Sequence, residues 1–103
     1  MIRLTALYRN SPEARFDFDY YLESHMKLSQ SLLKEYGMLS FEVEKCLQTM
    51  SGDEPDYLCI THVDFENMEG LMKGLEAHAD ELMADVASYT NIDPEVEVCE
   101  VVA

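Results

Sequence analysis

An α+β fold is predicted by two observations on the chain. Four short runs carry strand-like alternation of apolar and polar residues, and two longer segments carry apolar residues at helical spacing. Their order along the chain is β-α-β-β-α-β, which is the ferredoxin-like arrangement. We therefore predict a four-stranded antiparallel sheet with two helices on one face.

The first strand is predicted over Ile2 to Tyr8, with Leu4, Ala6 and Tyr8 on one face. A turn at 10–12 leads to a helix that runs from Asp17 to about Glu35. Asp17 is of the type that caps free N–H groups in the first turn of a helix. Gly37 suits the left-handed conformation that commonly ends one.

One face of this helix is predicted to be buried. At 100° per residue, seven side chains share it: Phe18, Tyr21, Leu22, His25, Ser29, Leu32 and Tyr36. The helical wheel places Tyr20 on the side opposite His25, which would suit a subunit contact or a rim. His25 therefore lies near the middle of an apolar stripe.

The second half of the chain repeats the pattern. Strands are predicted over Leu39 to Leu47 and Tyr57 to Asp64, joined as a hairpin by the polar loop 51–55. A helix follows from Glu66 to about Val86, with a kink or short break at Gly74 or at 77–79. Its methionines (Met68, Met72 and Met83) are expected in the core. The last strand is predicted over Glu95 to Val102.

The helices would leave one face of the sheet uncovered, although the first and third strands carry apolar residues on both faces. A second copy of the sheet is the simplest cover for that face. The pattern therefore predicts a homodimer through the open sheet faces, in a dimeric α+β barrel.

Length and composition limit the possible functions. The 103 residues are expected to form one domain, 1–103, and the net charge of −14 argues against binding nucleic acid or anionic membranes. There is no signal-peptide pattern and no apolar run near 20 residues, so we expect a cytoplasmic protein without membrane contact. The three cysteines have no metal-ligand spacing and are expected to be reduced; neither metal nor cofactor is predicted.

His25 is the strongest candidate for chemistry. A histidine on an apolar helix face is either a hydrogen-bonded core residue or a pocket residue that exchanges protons near neutral pH. Tyr21 lies one turn earlier, and Tyr8 ends the strand near the start of the helix. With Phe16, Phe18, Leu4 and Ala6, these side chains would line a small pocket between helix and sheet; a plain aromatic core is the alternative.

Two other histidines are weaker candidates. His62 alternates in phase with Asp64 on the third strand, and His78 lies at the suggested helix break. We expect His62 to be structural or exposed, and His78 to have no role in chemistry. No pair of histidines has metal-ligand spacing.

The segment Phe16-Asp17-x-Asp19-Tyr20-Tyr21-x-x-x-His25-Met26 resembles the signature of the EthD family. The end of the first strand, Tyr8-Arg9-Asn10, and the turn beginning Tyr89-Thr90-Asn91 are similar to the family as well. The resemblance implies a dimeric α+β barrel. The wider superfamily contains polyketide cyclases, lactone isomerases, cofactor-free monooxygenases and haem-handling enzymes. The chain has no tryptophan, which disfavours haem degradation.

Three functions are compatible with these features. The first is a small enzyme without a tightly bound cofactor, in which His25 transfers a proton and Tyr21 or Tyr8 orients the substrate or stabilises an oxyanion. Its substrate would be a compact apolar or aromatic metabolite, and its reaction an isomerisation, cyclisation or dehydration. The second is a non-catalytic binding or accessory protein for an oxygenase or a degradation pathway. In the third, the aromatic cluster is only core and the dimer is the functional surface.

Overall fold

The computed structural model describes all 103 residues. The strands are β1 (Ile2–Arg9), β2 (Met38–Lys45), β3 (Tyr57–Phe65) and β4 (Glu95–Glu100). They form one antiparallel sheet in the order β2-β3-β1-β4. The first helical segment, residues 18–36, lies between β1 and β2, and the second, residues 68–88, lies between β3 and β4. The predicted α+β class and element order are confirmed.

The first helical segment has four parts. They are helix α1 (Phe18–Tyr20), a π-helical turn (Tyr21–His25), helix α2 (Met26–Leu33) and a 3₁₀ turn (Lys34–Tyr36). Asp17 caps the segment by accepting from the backbone N–H of Tyr20 at 3.0 Å. Gly37 ends it with a φ of 92°. Both predicted ends are confirmed, whereas the π-helical turn inside the segment was not predicted.

Helix α3 (Met68–Asp85) is continuous, so the predicted short break in it is wrong. Gly74 instead permits close packing of the two helical segments. A Cβ at this position would lie 3.0 Å from Cδ2 of Leu33 and 3.2 Å from Cβ of Tyr36. The glycine in this helix therefore marks a helix–helix contact, for which sequence periodicity offers no separate signal.

The buried side of α3 is narrower than its apolar stripe. Leu71 and Gly74 are buried, whereas all three methionines are exposed: Met68, Met72 and Met83. The expectation that they belong to the core is wrong. Val96 and Val98 of β4 are also exposed, although they lie on the face of the sheet that carries the helices.

The core lies between the helices and one face of the sheet. Leu4, Ala6 and Tyr8 of β1 face it, directly opposite Val63, Thr61 and Cys59 of β3. The other face of the sheet has no helix. None of the helices is both long enough and apolar enough to cross a membrane.

Candidate functional site

A cavity of about 260 Å³ lies between the sheet and α3. Its apolar walls come from β1, α3, β4 and the turn that precedes β4. Its polar side chains are those of His25, Tyr8 and Tyr89. The predicted pocket lay between the first helix and the sheet, whereas this cavity lies against α3, and His25 is the one residue of the first helical segment at its wall.

The π-helical turn determines which side chains of the first helical segment point inward. The backbone N–H of Met26 donates to the carbonyl of Tyr21, an i→i+5 bond that places one more residue in the turn than an α-helix has. The inward positions shift accordingly. Tyr21, His25 and Met26 are buried, whereas Leu22 is 43% exposed and does not belong to the predicted inner face. Such turns are frequent at functional sites.

His25 and Tyr20 share one carboxylate. The Nδ1 atom of His25 lies 2.9 Å from Oδ2 of Asp85, in the last turn of α3. The hydroxyl of Tyr20 donates to the other oxygen, Oδ1, at 2.7 Å. The prediction that Tyr20 faces away from His25 is therefore wrong. The π-helical turn between them brings residues five apart closer to one face than an α-helix does, and both side chains reach the same partner.

This carboxylate is ionised at neutral pH. Burial opposes ionisation of Asp85, but the hydrogen bonds from Tyr20 and His25 outweigh it and hold the pKa of the carboxyl below its ordinary value. An ionised carboxylate only accepts hydrogen bonds, so the bond to His25 requires a proton on Nδ1. In the neutral imidazole, Nε2 is then the basic nitrogen.

The Nε2 atom of His25 has no hydrogen-bond partner in the chain. The hydrogen bonds of the His25 ring involve Nδ1 alone, and every fully buried side-chain polar atom has a hydrogen-bond partner. Nε2 must therefore retain accessible surface, and His25 borders the cavity. The ring is fixed by stacking on Tyr21, at 5.4 Å between centroids and 14° between planes. A histidine with one ring nitrogen on a carboxylate and the other without a partner resembles the His–Asp pair of a catalytic triad.

Tyr8 and Tyr89 supply hydroxyl groups to the same cavity. Their oxygens are 2.7 Å apart, so one O–H donates to the other. Burial raises the pKa of both phenols far above the ordinary value, and both remain protonated. Since one hydrogen suffices to join two oxygens, the pair retains a second O–H, for which Tyr21 and a bound molecule are both possible partners.

Three predicted site residues lie outside this cavity: Tyr21, Phe16 and Phe18. The hydroxyl of Tyr21 is 2.6 Å from that of Thr61, which directs it to β3 and away from the cavity. Phe16 packs between Tyr8 and Tyr89 as part of the aromatic core. The structure brings His25, Tyr8, Leu4 and Ala6 together around the cavity.

Asp85 and Tyr89 belong to the site although sequence reasoning missed them. Asp85 flanks the apolar stripe of α3, but Glu69 and Glu76 flank the same stripe, so its position in the sequence did not single it out. Tyr89 lies in the segment that resembles the EthD family, but its place in the sequence gave no indication of its contact with Tyr8. The two tyrosines are separated by 81 residues in the chain.

The other histidines lie elsewhere. His62 is on the helix-free face of the sheet, where its Nδ1 is 3.2 Å from the hydroxyl of Thr5. Asp64 on that face accepts two hydrogen bonds from Arg3 rather than one from His62. His78 contacts Glu81, one turn later on α3. No group of three or more metal-ligand side chains is close enough to hold an ion.

Solved structures with the same fold include proteins of several bacteria. An EthD-like protein from Ralstonia eutropha JMP134 superposes with a TM-score of 0.92 and 29% identity, over 99% of this chain and 92% of that one. A family protein named for ethyl tert-butyl ether, from Bacillus halodurans C-125, gives 0.70 and 17%, over 99% of both chains. A dimeric ferredoxin-like protein from an uncultured marine organism gives 0.63 and 15%, over 99% and 94%.

Comparison with curated protein sequences produced no match. The EthD domain model matches residues 11–93, which include the π-helical turn, α3 and Tyr89 in the segment before β4. The match spans most of the chain and agrees with the aromatic and histidine signature of the first helical segment. The chain belongs to the EthD family.

Proposed function

We propose that this protein is a small enzyme that transfers protons on a compact apolar or aromatic metabolite, without a tightly bound cofactor. The observation that carries the proposal is the free Nε2 of His25 at the wall of an apolar cavity, with Asp85 on the opposite nitrogen. Isomerisation, cyclisation and dehydration all include a proton transfer next to a carbonyl. The site offers a base and hydroxyl donors for that step.

The step uses three groups of the chain. Nε2 of His25 takes a proton from the carbon next to a carbonyl, and the electron pair of the broken C–H bond moves to the carbonyl oxygen as an enolate. Asp85 stabilises the imidazolium that forms. The hydroxyl pair of Tyr8 and Tyr89 donates to the enolate oxygen. His25 then returns the proton to the same carbon or to a neighbouring one, which leaves the enzyme unchanged.

This proposal is tested with acetophenone in D2O. The protein should accelerate exchange of deuterium into the methyl group, because general-base catalysis contributes about 10²- to 10⁴-fold to such a step. Loss of the methyl signal in proton NMR, compared with buffer that contains an equal concentration of free imidazole, measures the rate. Acetophenone that binds in the cavity without accelerated exchange would contradict the catalytic role.

A non-catalytic binding or accessory protein is the second candidate. The small number of polar groups in the cavity favours it, since three side chains and apolar walls suffice to hold a ligand. Binding without proton exchange is the outcome that this function predicts, so the acetophenone experiment separates the two.

We also propose that the chain forms a homodimer through the helix-free face of the sheet. Leu7 and Ile60 are paired in the middle of this face and are only half buried. Around them, Arg3 pairs with Asp64, and these two charges can be covered together. Three exposed glutamates lie on the two outer strands of the same face: Glu42, Glu44 and Glu97. One protein with this fold is described as dimeric.

Light scattering at micromolar concentration should give twice the chain mass of 11.8 kDa. Ile60→Glu should reduce the mass to that of one chain, because it places a charge on each side of the interface. Leu28→Glu, on an exposed position of α2, is the matched control and should leave the dimer intact. A wild-type protein that is monomeric at this concentration would overturn the dimer.

A further inference from the structure

The cavity has no charged lining. None of its twelve lining residues is Asp, Glu, Lys or Arg. The polar groups are His25 and the hydroxyls of Tyr8 and Tyr89, and all the others are aliphatic. A buried anion needs a cation or several hydrogen-bond donors to offset the loss of its water. The walls provide no permanent cation for this purpose.

Protonation of His25 would not make the cavity favourable for an anion. The ionised carboxylate of Asp85, 2.9 Å from Nδ1, cancels the charge of an imidazolium. Beyond the site, the net charge of −14 repels anions that approach from solvent. The charges around the site and the net charge of the chain therefore both disfavour anionic ligands.

The entrance is apolar as well. Met83 and Val96 both border the cavity, yet they are 58% and 53% exposed, so the cavity opens to solvent between α3 and β4 at these side chains. Val98 continues the apolar surface along β4. A ligand on its way into the cavity therefore passes methyl and methylene groups rather than charges.

We infer that the site selects uncharged molecules with a carbonyl or hydroxyl oxygen, and that it rejects carboxylates of the same size. This inference rests on the proposed function, since it describes the ligand of the same cavity. A volume of about 260 Å³ corresponds to the liquid volume of about nine water molecules. The ligand is therefore smaller than a typical drug and has on the order of ten non-hydrogen atoms.

Acetophenone and benzoate test the selection, because they have the same number of non-hydrogen atoms and differ in charge. Titration followed by amide NMR should show acetophenone binding with a Kd on the order of a millimolar, and benzoate binding at least about tenfold more weakly. Shifts should be largest around His25, Met83 and Val96. Equal affinities for the two probes would overturn the inference.

A cation at the entrance should weaken the selection against anions. Met83→Lys places an ammonium group at the mouth and is tolerated because the side chain is largely exposed. It should strengthen benzoate binding about fivefold relative to Met72→Lys, which adds the same charge on an exposed part of α3 outside the cavity. Equal benzoate affinities in the two variants contradict selection by the cavity.

The outcomes distinguish this inference from the proposed function. If acetophenone and benzoate bind equally, selection by charge fails, while proton exchange on bound acetophenone still decides the catalytic role. If neither probe binds, both the selection and the ligand site are wrong. If acetophenone alone binds but does not exchange, the selection stands and the protein is a binding protein.

Discussion

Replacing His25 with Gln should abolish the exchange of deuterium into acetophenone while the ligand still binds. Glutamine has similar size and polarity but no basic nitrogen, so the variant lacks the group that accepts the proton. We expect the exchange rate to fall by about 10²- to 10⁴-fold, which is the contribution of general-base catalysis. Proton NMR measures the rate, and the amide NMR titration measures binding in the same sample.

His78→Gln is the matched control. The same substitution there alters a histidine on α3 that contacts Glu81 and lies outside the cavity. Its exchange rate should equal that of the wild type. A His25→Gln variant with undiminished exchange would show that another group takes the proton, and a variant that no longer binds acetophenone would assign His25 to binding instead.

Replacing Asp85 with Asn should slow the exchange by about 10²- to 10⁴-fold, because the change from carboxylate to amide beside a catalytic histidine selects the wrong tautomer. The amide can present N–H to the imidazole, which favours the tautomer with its proton on Nε2. The basic nitrogen of His25 would then be Nδ1, which faces residue 85 and not the substrate. Asp85 touches His25 but not the cavity, so it is a positioning residue.

If the role of Asp85 were purely structural, Asp85→Asn would leave the tautomer of the His25 ring unchanged. The ¹⁵N chemical shifts of the His25 ring should show protonated Nδ1 in the wild type and more protonated Nε2 in Asp85→Asn. Asp80→Asn, on an exposed position of the same helix, is the control for the loss of one negative charge. Slower exchange with an unchanged tautomer would contradict the positioning role. An exchange rate in Asp85→Asn equal to that of the wild type would contradict any role of Asp85 in the reaction.

The fold was predictable from the sequence because its signals are local. Alternation in β1 and β3, the cap at Asp17 and the glycine at Gly37 each depend on a few neighbouring residues, and each appears in the structure. Strand order followed from the order of the elements. The exposed methionines of α3 were not predictable in this way, because exposure depends on how far one layer extends over another.

The candidate site was only partly predictable, because its contacts are not local. A helical wheel with 100° per residue assumes an α-helix, and the π-helical turn at Tyr21–His25 breaks that assumption. The wheel still placed His25 on the inner side, but it placed Leu22 and Tyr20 wrongly. Asp85 and Tyr89 meet the first half of the chain only after folding.

The two hydrogen bonds that shape the site join distant parts of the chain. Tyr8 meets Tyr89 across 81 residues, and His25 meets Asp85 across 60. During synthesis, a ribosome must release nearly the whole chain before either contact can form. A nascent chain that still lacks α3 and the turn after it has no such cavity. Ligand binding is therefore a property of the completed protein, and a bound ligand stabilises the native state as a whole against unfolding.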